Sequence, residues 1–384
     1  MKPIDVVGVG PGVPEQVTQA AREVIERADQ VYAAKRHAHL AGGAVRPLGE
    51  VQAGGTVLVS GDPGLYSMLG LLKAQFGAEN LRVTPGISAL QMFCAALCES
   101  WQDACLLSVH GRDLPMSGVA YSVRTNASTI LFCGPKHTPN VLADALMGAG
   151  LAQVEMAVGE RLSYPQARIT RGTPCEILRG QYDPLCMVRV RNPAPERGLP
   201  AIGLADDQLI RGKAPMTKRE IRMLVVASLS LTPDAIVWDI GAGTGSVSVE
   251  CARQCPWGQV YAVERDAQAL ALLEENKAKF CVSNLRIVPG SAPEALDNLP
   301  APSHVFLGGS GGHLPQILGA LEALSQPFRL VATAVSLDSA QTMLNWAEFD
   351  AVQVGVSRLE DVGHVRLFRA QNPVFVLSTD RKAK

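Results

Sequence analysis

The residues best placed to do chemistry lie in one short run, Val237 to Gly245 (VWDIGAGTG), where a β-branched stretch meets Gly241, Gly243, Thr244 and Gly245 before apolar periodicity resumes at Val247. Glycines at this spacing let the chain turn sharply and approach a ligand with no Cβ in the way, and a helix starting behind them presents unpaired N–H groups. A dinucleotide loop needs the wider GxGxxG spacing. This one is tighter, GxGxG, and Asp239 stands just before it. A carboxylate there repels a pyrophosphate and suits a cation, which points to the sulfonium-bearing amino-acid end of S-adenosylmethionine. Glu264 closes the next apolar run, VYAVE, where a carboxylate can accept both ribose hydroxyls. The third run ends in Pro289-Gly290-Ser291-Ala292, a turn suited to bounding a nucleobase.

Further on, Phe306 leads into Gly308, Gly309, Ser310, Gly311 and Gly312. Amino-group methyltransferases acting on DNA carry an Asn/Asp-Pro-Pro-aromatic sequence there. Four glycines instead leave room for a bulky planar substrate and supply backbone donors. His313 is the one candidate proton shuttle beside this loop, and no side chain is assigned as catalytic.

The elements that must hold these residues read as alternating strands and helices. Strands are expected over Ala235 to Ile240, Gln259 to Val263, Leu285 to Val288, His304 to Leu307 and Phe328 to Ala334, with Ala351 to Leu359 and Val365 to Leu377 as an antiparallel edge pair interrupted at Gln371-Asn372-Pro373. Upstream, the run Arg191 to Gly203 (RNPAPERGLPAIG) breaks both periodicities and marks a boundary between domains at 1–195 and 203–384. Before it, Ile4 to Val9 is a strand ending in Gly10-Pro11-Gly12, and Thr18 to Tyr32 has helical spacing. Strand, glycine turn and helix then recur at Val57 to Val59 with Gly61 and Asp62 and a helix from about Leu65 to Phe76, and at Leu81 to Val83 with Ser88 and a helix from Ala89. This alternation predicts an α/β fold with largely parallel sheets and ligands at the carboxyl ends of the strands.

Composition limits the partners. The 384 residues are 47% hydrophobic and 18% charged, with 36 glycines, 25 prolines and a formal net charge of −1, so two compact domains are expected and no global positive field exists for a nucleic acid. No apolar run is long enough to span a bilayer and the N-terminus does not read as a signal peptide, so a cytoplasmic protein with no membrane partner is expected. The nine cysteines form no CxxC pair, and no metal site is assigned.

Two family resemblances sharpen this reading. Residues 203 to 370 resemble the class I methyltransferases of Rossmann-like fold. More narrowly, GKAPMTKREIR from Gly212, WDIGAGTGSVSVE and GSAPEAL resemble the decarboxylating methyltransferases of cobalamin biosynthesis that act on precorrin-6B. Residues 3 to 190 resemble the tetrapyrrole methylases through VGVGPG, SGDPG, TPGIS, FCGPKHTP and AVGERLSYPQARITRGT, although Val13 stands where many members carry Asp. Together the halves resemble the precorrin-6Y C(5,15)-methyltransferase (decarboxylating) family, a fusion rather than a duplication.

The resemblance implies a first domain built as a pair of α/β subdomains and a second with a Rossmann-like sheet and antiparallel edge strands. It implies two S-adenosylmethionine sites, one at Pro11, Gly61, Asp62 and Ser88, the other at Thr217, Asp239, Gly241, Gly243, Thr244, Gly245, Glu264, Ser291 and Ala292. It implies conversion of precorrin-6B to precorrin-8X, with methylation at ring carbon 5 by the first domain, and methylation at carbon 15 with decarboxylation by the second. A polycarboxylate macrocycle needs cations and space; the candidates by loop position are Lys35, Arg36, His37, Arg112 and Lys136 in the first half, and Arg211, Lys213, Lys218 and Arg219 with Gly308 and Gly309 in the second. Related first domains are dimers and related second domains tetramers, so a homo-oligomer is implied. The alternatives are the same chemistry on a cobalt-containing precorrin, methylation of another small molecule or of tRNA, and a non-catalytic S-adenosylmethionine sensor.

Overall fold

The structure, a computed structural model, describes residues 2–109, 114–212 and 216–382. The chain divides into two compact units, one of Met1–Asp113, Asn126–Asp144 and Ala152–Pro195, the other of Leu114–Thr125, Ala145–Leu151 and Glu196–Lys384. The main division falls inside the Pro/Gly-rich stretch, and two short segments from the first half belong with the second unit, which a single boundary in the sequence does not anticipate.

The first sheet of unit one is formed by Ile4–Gly8 (β1), Val31–Ala33 (β2), Thr56–Val59 (β3) and Leu81–Thr84 (β4), all parallel, in the order β2-β3-β1-β4. Its helices are Gln19–Glu26 (α1), Leu69–Phe76 (α2) and Ala89–Leu97 (α3). Alternation along β1 sends Val7 to one buried cluster with Leu58, and Ile4 and Val6 to another with Val57 and Val59. The helical pattern expected over Thr18 to Tyr32 ends at Glu26, and Val31–Ala33 is a strand instead. Three apolar residues in a row fit either period, and pairing with β3 decides between them.

The second sheet comprises Cys105–Ser108 (β5), Ser128–Phe132 (β6), Glu155–Glu160 (β7), Arg168–Gly172 (β8) and Cys186–Arg191 (β9), in the order β5-β6-β9-β7-β8. Only β5 and β6 run parallel, which corrects the expectation of largely parallel sheets throughout. Met116–Thr125 (α4), Pro139–Gly148 (α5) and Pro174–Leu178 (α6) accompany this stretch of chain.

Unit two holds one seven-stranded sheet. Arg219–Leu229 (α7) precedes Ile236–Ile240 (β10), Ser246–Gln254 (α8), Gln259–Glu264 (β11), Ala267–Lys279 (α9), Leu285–Pro289 (β12), His304–Leu307 (β13), Leu314–Glu322 (α10), Phe328–Ala334 (β14) and Leu337–Trp346 (α11). The two expected C-terminal strands are four: Asp350–Val354 (β15), Ser357–Val362 (β16), Val365–Ala370 (β17) and Val374–Arg381 (β18). The sheet order is β12-β11-β10-β13-β14-β18-β15, with β18 antiparallel to both its neighbours and β16-β17 a separate hairpin. Strand order reverses at β10 and β13, so their carboxyl ends open a crevice. Among the described residues no helix is long and apolar enough to cross a membrane.

Candidate functional site

The crevice after β10 and β13 opens into a cavity of about 900 Å³, lined by the turn Gly241 to Gly243, by Glu264 and Arg265, by Ser291 and Ala292, by Gly308 to Gly311, and by His313, Thr217 and Lys218. That volume is at the upper end of the range for small-molecule pockets, about 300–1,000 Å³. Gly241 has φ +73°, and a Cβ on it would lie 2.4 Å from the Gly309 carbonyl oxygen, so the β10 and β13 loops touch through glycine alone. Gly245 has a different task. It begins α8 at φ +78°, and a Cβ there would meet Leu273 at 2.9 Å, so this glycine seats α8 against α9.

Glu264 is the best-held acid of the site. Its Oε2 accepts from the Gly243 N–H at 2.8 Å and its Oε1 from the N–H groups of Arg265 and Asp266, each at 2.8 Å. A carboxylate offers about four lone-pair sites, so three amides leave room for one further donor, enough for a hydroxyl.

Asp239 differs from the sequence expectation. Its side chain is fully buried, does not line the cavity, and accepts a hydrogen bond from the Ser248 hydroxyl on α8, while Oδ1 has no partner. Burial pushes its carboxyl up to about 7, the Ser248 hydrogen bond opposes that rise, and the negative charge of Glu264 adds to it. The cause is strand alternation: Val237 and Asp239 face α8, whereas Trp238 and Ile240 belong to the opposite cluster. Thr244 is likewise 1% exposed with its hydroxyl unpartnered, and it does not line the cavity. The Gly308 and Gly309 N–H groups, expected as donors to a ligand, both bond the Ile240 carbonyl, at 3.0 and 3.3 Å. The open space expected at Gly309 is present, since nothing lies within 4 Å of a Cβ built there.

Of the expected cations, Lys218 lines the cavity and Arg211 and Arg219 do not; Lys213 lies outside the described residues. Arg265, Gln371 and Asn372 line it without having been singled out in the sequence. Arg265 directly follows Glu264, and Gln371-Asn372 interrupts a strand pattern; position beside a recognised motif was the available signal. Behind the wall, the fully buried Arg222 donates to Glu250, also fully buried, at 3.2 Å and to the Thr217 carbonyl at 2.7 Å. The Glu250 carboxylate in turn accepts from the N–H groups of Gly203 and Leu204, so one buried ion pair between α7 and α8 holds the segment before α7.

Unit one brings the ends of β1, β3 and β4 together through backbone. Gly61 N–H donates to the Gly10 carbonyl at 2.7 Å, and a Cβ on Gly86 would lie 2.5 Å from the Gly61 oxygen and 2.6 Å from that of Gly8. Asp62 accepts from Gly64 N–H at 2.8 Å and Gly86 N–H at 3.3 Å, locking two of these turns. Ser88 caps α3 in a reciprocal pair with Gln91 and is 5% exposed, so its hydroxyl is engaged. Pro11 accepts from the Tyr164 hydroxyl at 3.2 Å. His37 is 2% exposed, accepts at Nε2 from Arg36 at 3.1 Å, and is pushed down to about 4 by burial and by the Arg36 charge. It is a neutral imidazole at neutral pH, not the cation expected. Lys35, Arg36 and Lys136 are exposed; Arg112 lies outside the described residues.

Residues 209–381 match a family described as the precorrin methyltransferase domain, and residues 44–177 match the tetrapyrrole (corrin/porphyrin) methylases. A precorrin-6Y C(5,15)-methyltransferase [decarboxylating] from Sinorhizobium sp is 29% identical over 97% of this chain and 94% of its own length. Its counterpart from Mycobacterium tuberculosis is 31% identical over 88% of each chain. A solved precorrin-6Y C5,15-methyltransferase structure from Geobacter metallireducens is 35% identical, covering 47% of this chain and 98% of its own, with a TM-score of 0.44. With both halves matched in order and a relative above 30% identity spanning nearly the whole length, the chain belongs to the precorrin-6Y C(5,15)-methyltransferase (decarboxylating) family.

Proposed function

We propose that this chain carries out two S-adenosylmethionine-dependent C-methylations and one decarboxylation on a late precorrin of cobalamin biosynthesis, taking precorrin-6B to precorrin-8X. Residues 1–195 methylate ring carbon 5; residues 203–384 methylate carbon 15 and release carbon dioxide. The observation that supports this most directly is the cavity at the β10–β13 reversal, where a glycine turn clamped by Glu264 and the glycine loop that touches it together line about 900 Å³. Relatives that match both halves support the division of labour, as does a 37% identical Salmonella typhimurium cobalt-precorrin-6B C(15)-methyltransferase (decarboxylating) that aligns with 47% of this chain.

The residues of unit two fit the methyl donor. Glu264 keeps acceptor capacity for a ribose hydroxyl, Ser291 and Ala292 line the same cavity, and Ala242 carries the one Cβ of the turn between Gly241 and Gly243. In unit one the same task falls to backbone around Pro11, Gly61, Asp62 and Ser88. When bound, S-adenosylmethionine supplies an activated methyl group and its own leaving group. The protein must then align a carbon nucleophile and exclude water, and few catalytic side chains are needed. In the decarboxylation the bonding electrons flow into the conjugated macrocycle, which serves as its own acceptor. Cytoplasmic location and a homo-oligomeric assembly are part of this reading.

Incubation of the purified chain with precorrin-6B and methyl-labelled S-adenosylmethionine tests it. Two labelled methyls and one carbon dioxide per macrocycle are expected; one methyl without carbon dioxide, or binding without turnover, rejects it.

A further inference from the structure

Arg265 follows β11 and Gly311 follows β13, with β10 between them, so the strand ends they extend are about 10 Å apart. The Arg265 side chain nevertheless reaches the glycine loop: a Cβ on Gly311 would lie 3.0 Å from the guanidinium carbon and 3.0 and 3.1 Å from its two terminal nitrogens. It therefore reaches, within the cavity lining, from Glu264 at the end of β11 to the glycine loop after β13. Gly311, at φ +55°, leaves the space in which the guanidinium lies.

Its charge is uncommitted. Arg265 has no acidic partner among the described residues, and the other arginines of the unit that share this, Arg197, Arg211, Arg219 and Arg286, do not line the cavity, whereas Arg222, Arg253, Arg329, Arg358 and Arg381 each stand within 4.0 Å of an acid. A guanidinium offers five donors in a fixed fork matched to a carboxylate. Lys218 and His313 line the same cavity but as a point charge and an imidazole, without that fork.

We propose that Arg265 is the carboxylate anchor of this cavity, binding either a side-chain carboxylate of the tetrapyrrole or the amino-acid carboxylate of the methyl donor, with Gly311 leaving its guanidinium room. The proposal rests on the functional reading above and names the residue that orients an acidic ligand between the two halves of the site.

The test compares the full-length wild type with Arg265→Met, Arg265→Lys, Gly311→Ala and the double variant Arg265→Met/Gly311→Ala. Three constants are measured: KM for precorrin-6B in the decarboxylating step, and the Kd values of S-adenosylhomocysteine and of 5′-methylthioadenosine, which lacks the carboxylate. Arg265→Met should raise one of the first two at least about tenfold and leave 5′-methylthioadenosine unchanged. A change confined to KM assigns the tetrapyrrole carboxylate; a change confined to S-adenosylhomocysteine assigns that of the donor. Arg265→Lys should recover part of the loss. Gly311→Ala should move the same constant, and its effect should vanish in the Arg265→Met background.

Equal weakening of both nucleosides means the guanidinium only packs on the nucleoside, and overturns the proposal. So do three unchanged constants, or full additivity of the two substitutions. A wild type that binds S-adenosylhomocysteine but leaves precorrin-6B unmethylated fails the functional reading instead, because the two titrations do not require the tetrapyrrole.

Discussion

Both units place a glycine turn and an acid at the carboxyl end of a central parallel strand, yet they use them in opposite ways. In unit one, Asp62 is partly exposed and spends its oxygens on the amides of Gly64 and Gly86, fastening loops whose glycines already touch. In unit two, Asp239 is sealed beneath α8 with one oxygen unpartnered, and the wall of a wide cavity is left to Glu264, Arg265 and glycine backbone. The first arrangement is made by close backbone approach; the second by charge placed around open space. An acid next to a glycine turn therefore does not specify a ligand contact. Which face of the strand it occupies decides whether it meets ligand, backbone or core.

The largest expected effects come from a reciprocal pair of substitutions. Gly86→Val drives side-chain atoms into the Gly61 and Gly8 carbonyls and should cut methylation at carbon 5 by about 100-fold or more while carbon dioxide release continues. Asp239→Ala removes the acceptor of Ser248 beneath the loop and should abolish carbon-15 methylation and decarboxylation on the same scale, sparing carbon 5. Product mass and carbon dioxide counts read both outcomes. Carbon dioxide loss persisting in Asp239→Ala, or disappearing in Gly86→Val, breaks the division between the units.

Next in size is the buried pair behind the second site. Arg222→Met leaves the buried Glu250 carboxylate with only the Gly203 and Leu204 amides and the more distant Arg253, at 3.8 Å, and should cost unit two about 3–5 kcal/mol in denaturant unfolding. Arg168→Met in unit one removes a partner of Glu160, but Arg168 is 57% exposed, so a much smaller change is expected. Equal losses would show that charge burial does not separate the units.

The smallest effect concerns Asp239 as an ionisable group. Its carboxyl ionises near 3.8 when unfolded and near 7 when folded, so between those values the folded chain keeps a proton that the unfolded chain has released. Stability contributed by the protonated form is thus lost as pH rises from about 4 to about 7. Asp239→Asn cannot ionise and should flatten that decline, gaining up to a few kcal/mol over wild type at pH 8 and little at pH 4. Parallel pH profiles for the two proteins would place the ionised carboxylate comfortably in the fold.

Much of this was legible in residue order. The five parallel strands of unit two, the reach of α3 from Ala89, and Glu264 at a strand end follow from periodicity and punctuation, which are local properties. Less legible were Val31–Ala33, where strand pairing overrode an apparent helix, and the break at Gly355-Val356 that splits the expected strand Ala351 to Leu359 in two, whereas the interruption at Gln371-Asn372-Pro373 was readable from the sequence. The burial of Asp239 was readable in principle, since Val237 and Asp239 alternate with Trp238 and Ile240, but only once it was known which face α8 covers.

By itself the sequence determined the glycine turns of both halves, the α/β class and the family, because each depends on residue types at fixed short spacing. The tertiary structure alone decided which polar groups reach the cavity. It buried Asp239 and His37, gave the Gly308 and Gly309 amides to Ile240, and brought Arg265 across to Gly311. The physical reason is that burial and hydrogen-bond satisfaction depend on neighbours far along the chain, whereas turn and strand formation depend on neighbours close by.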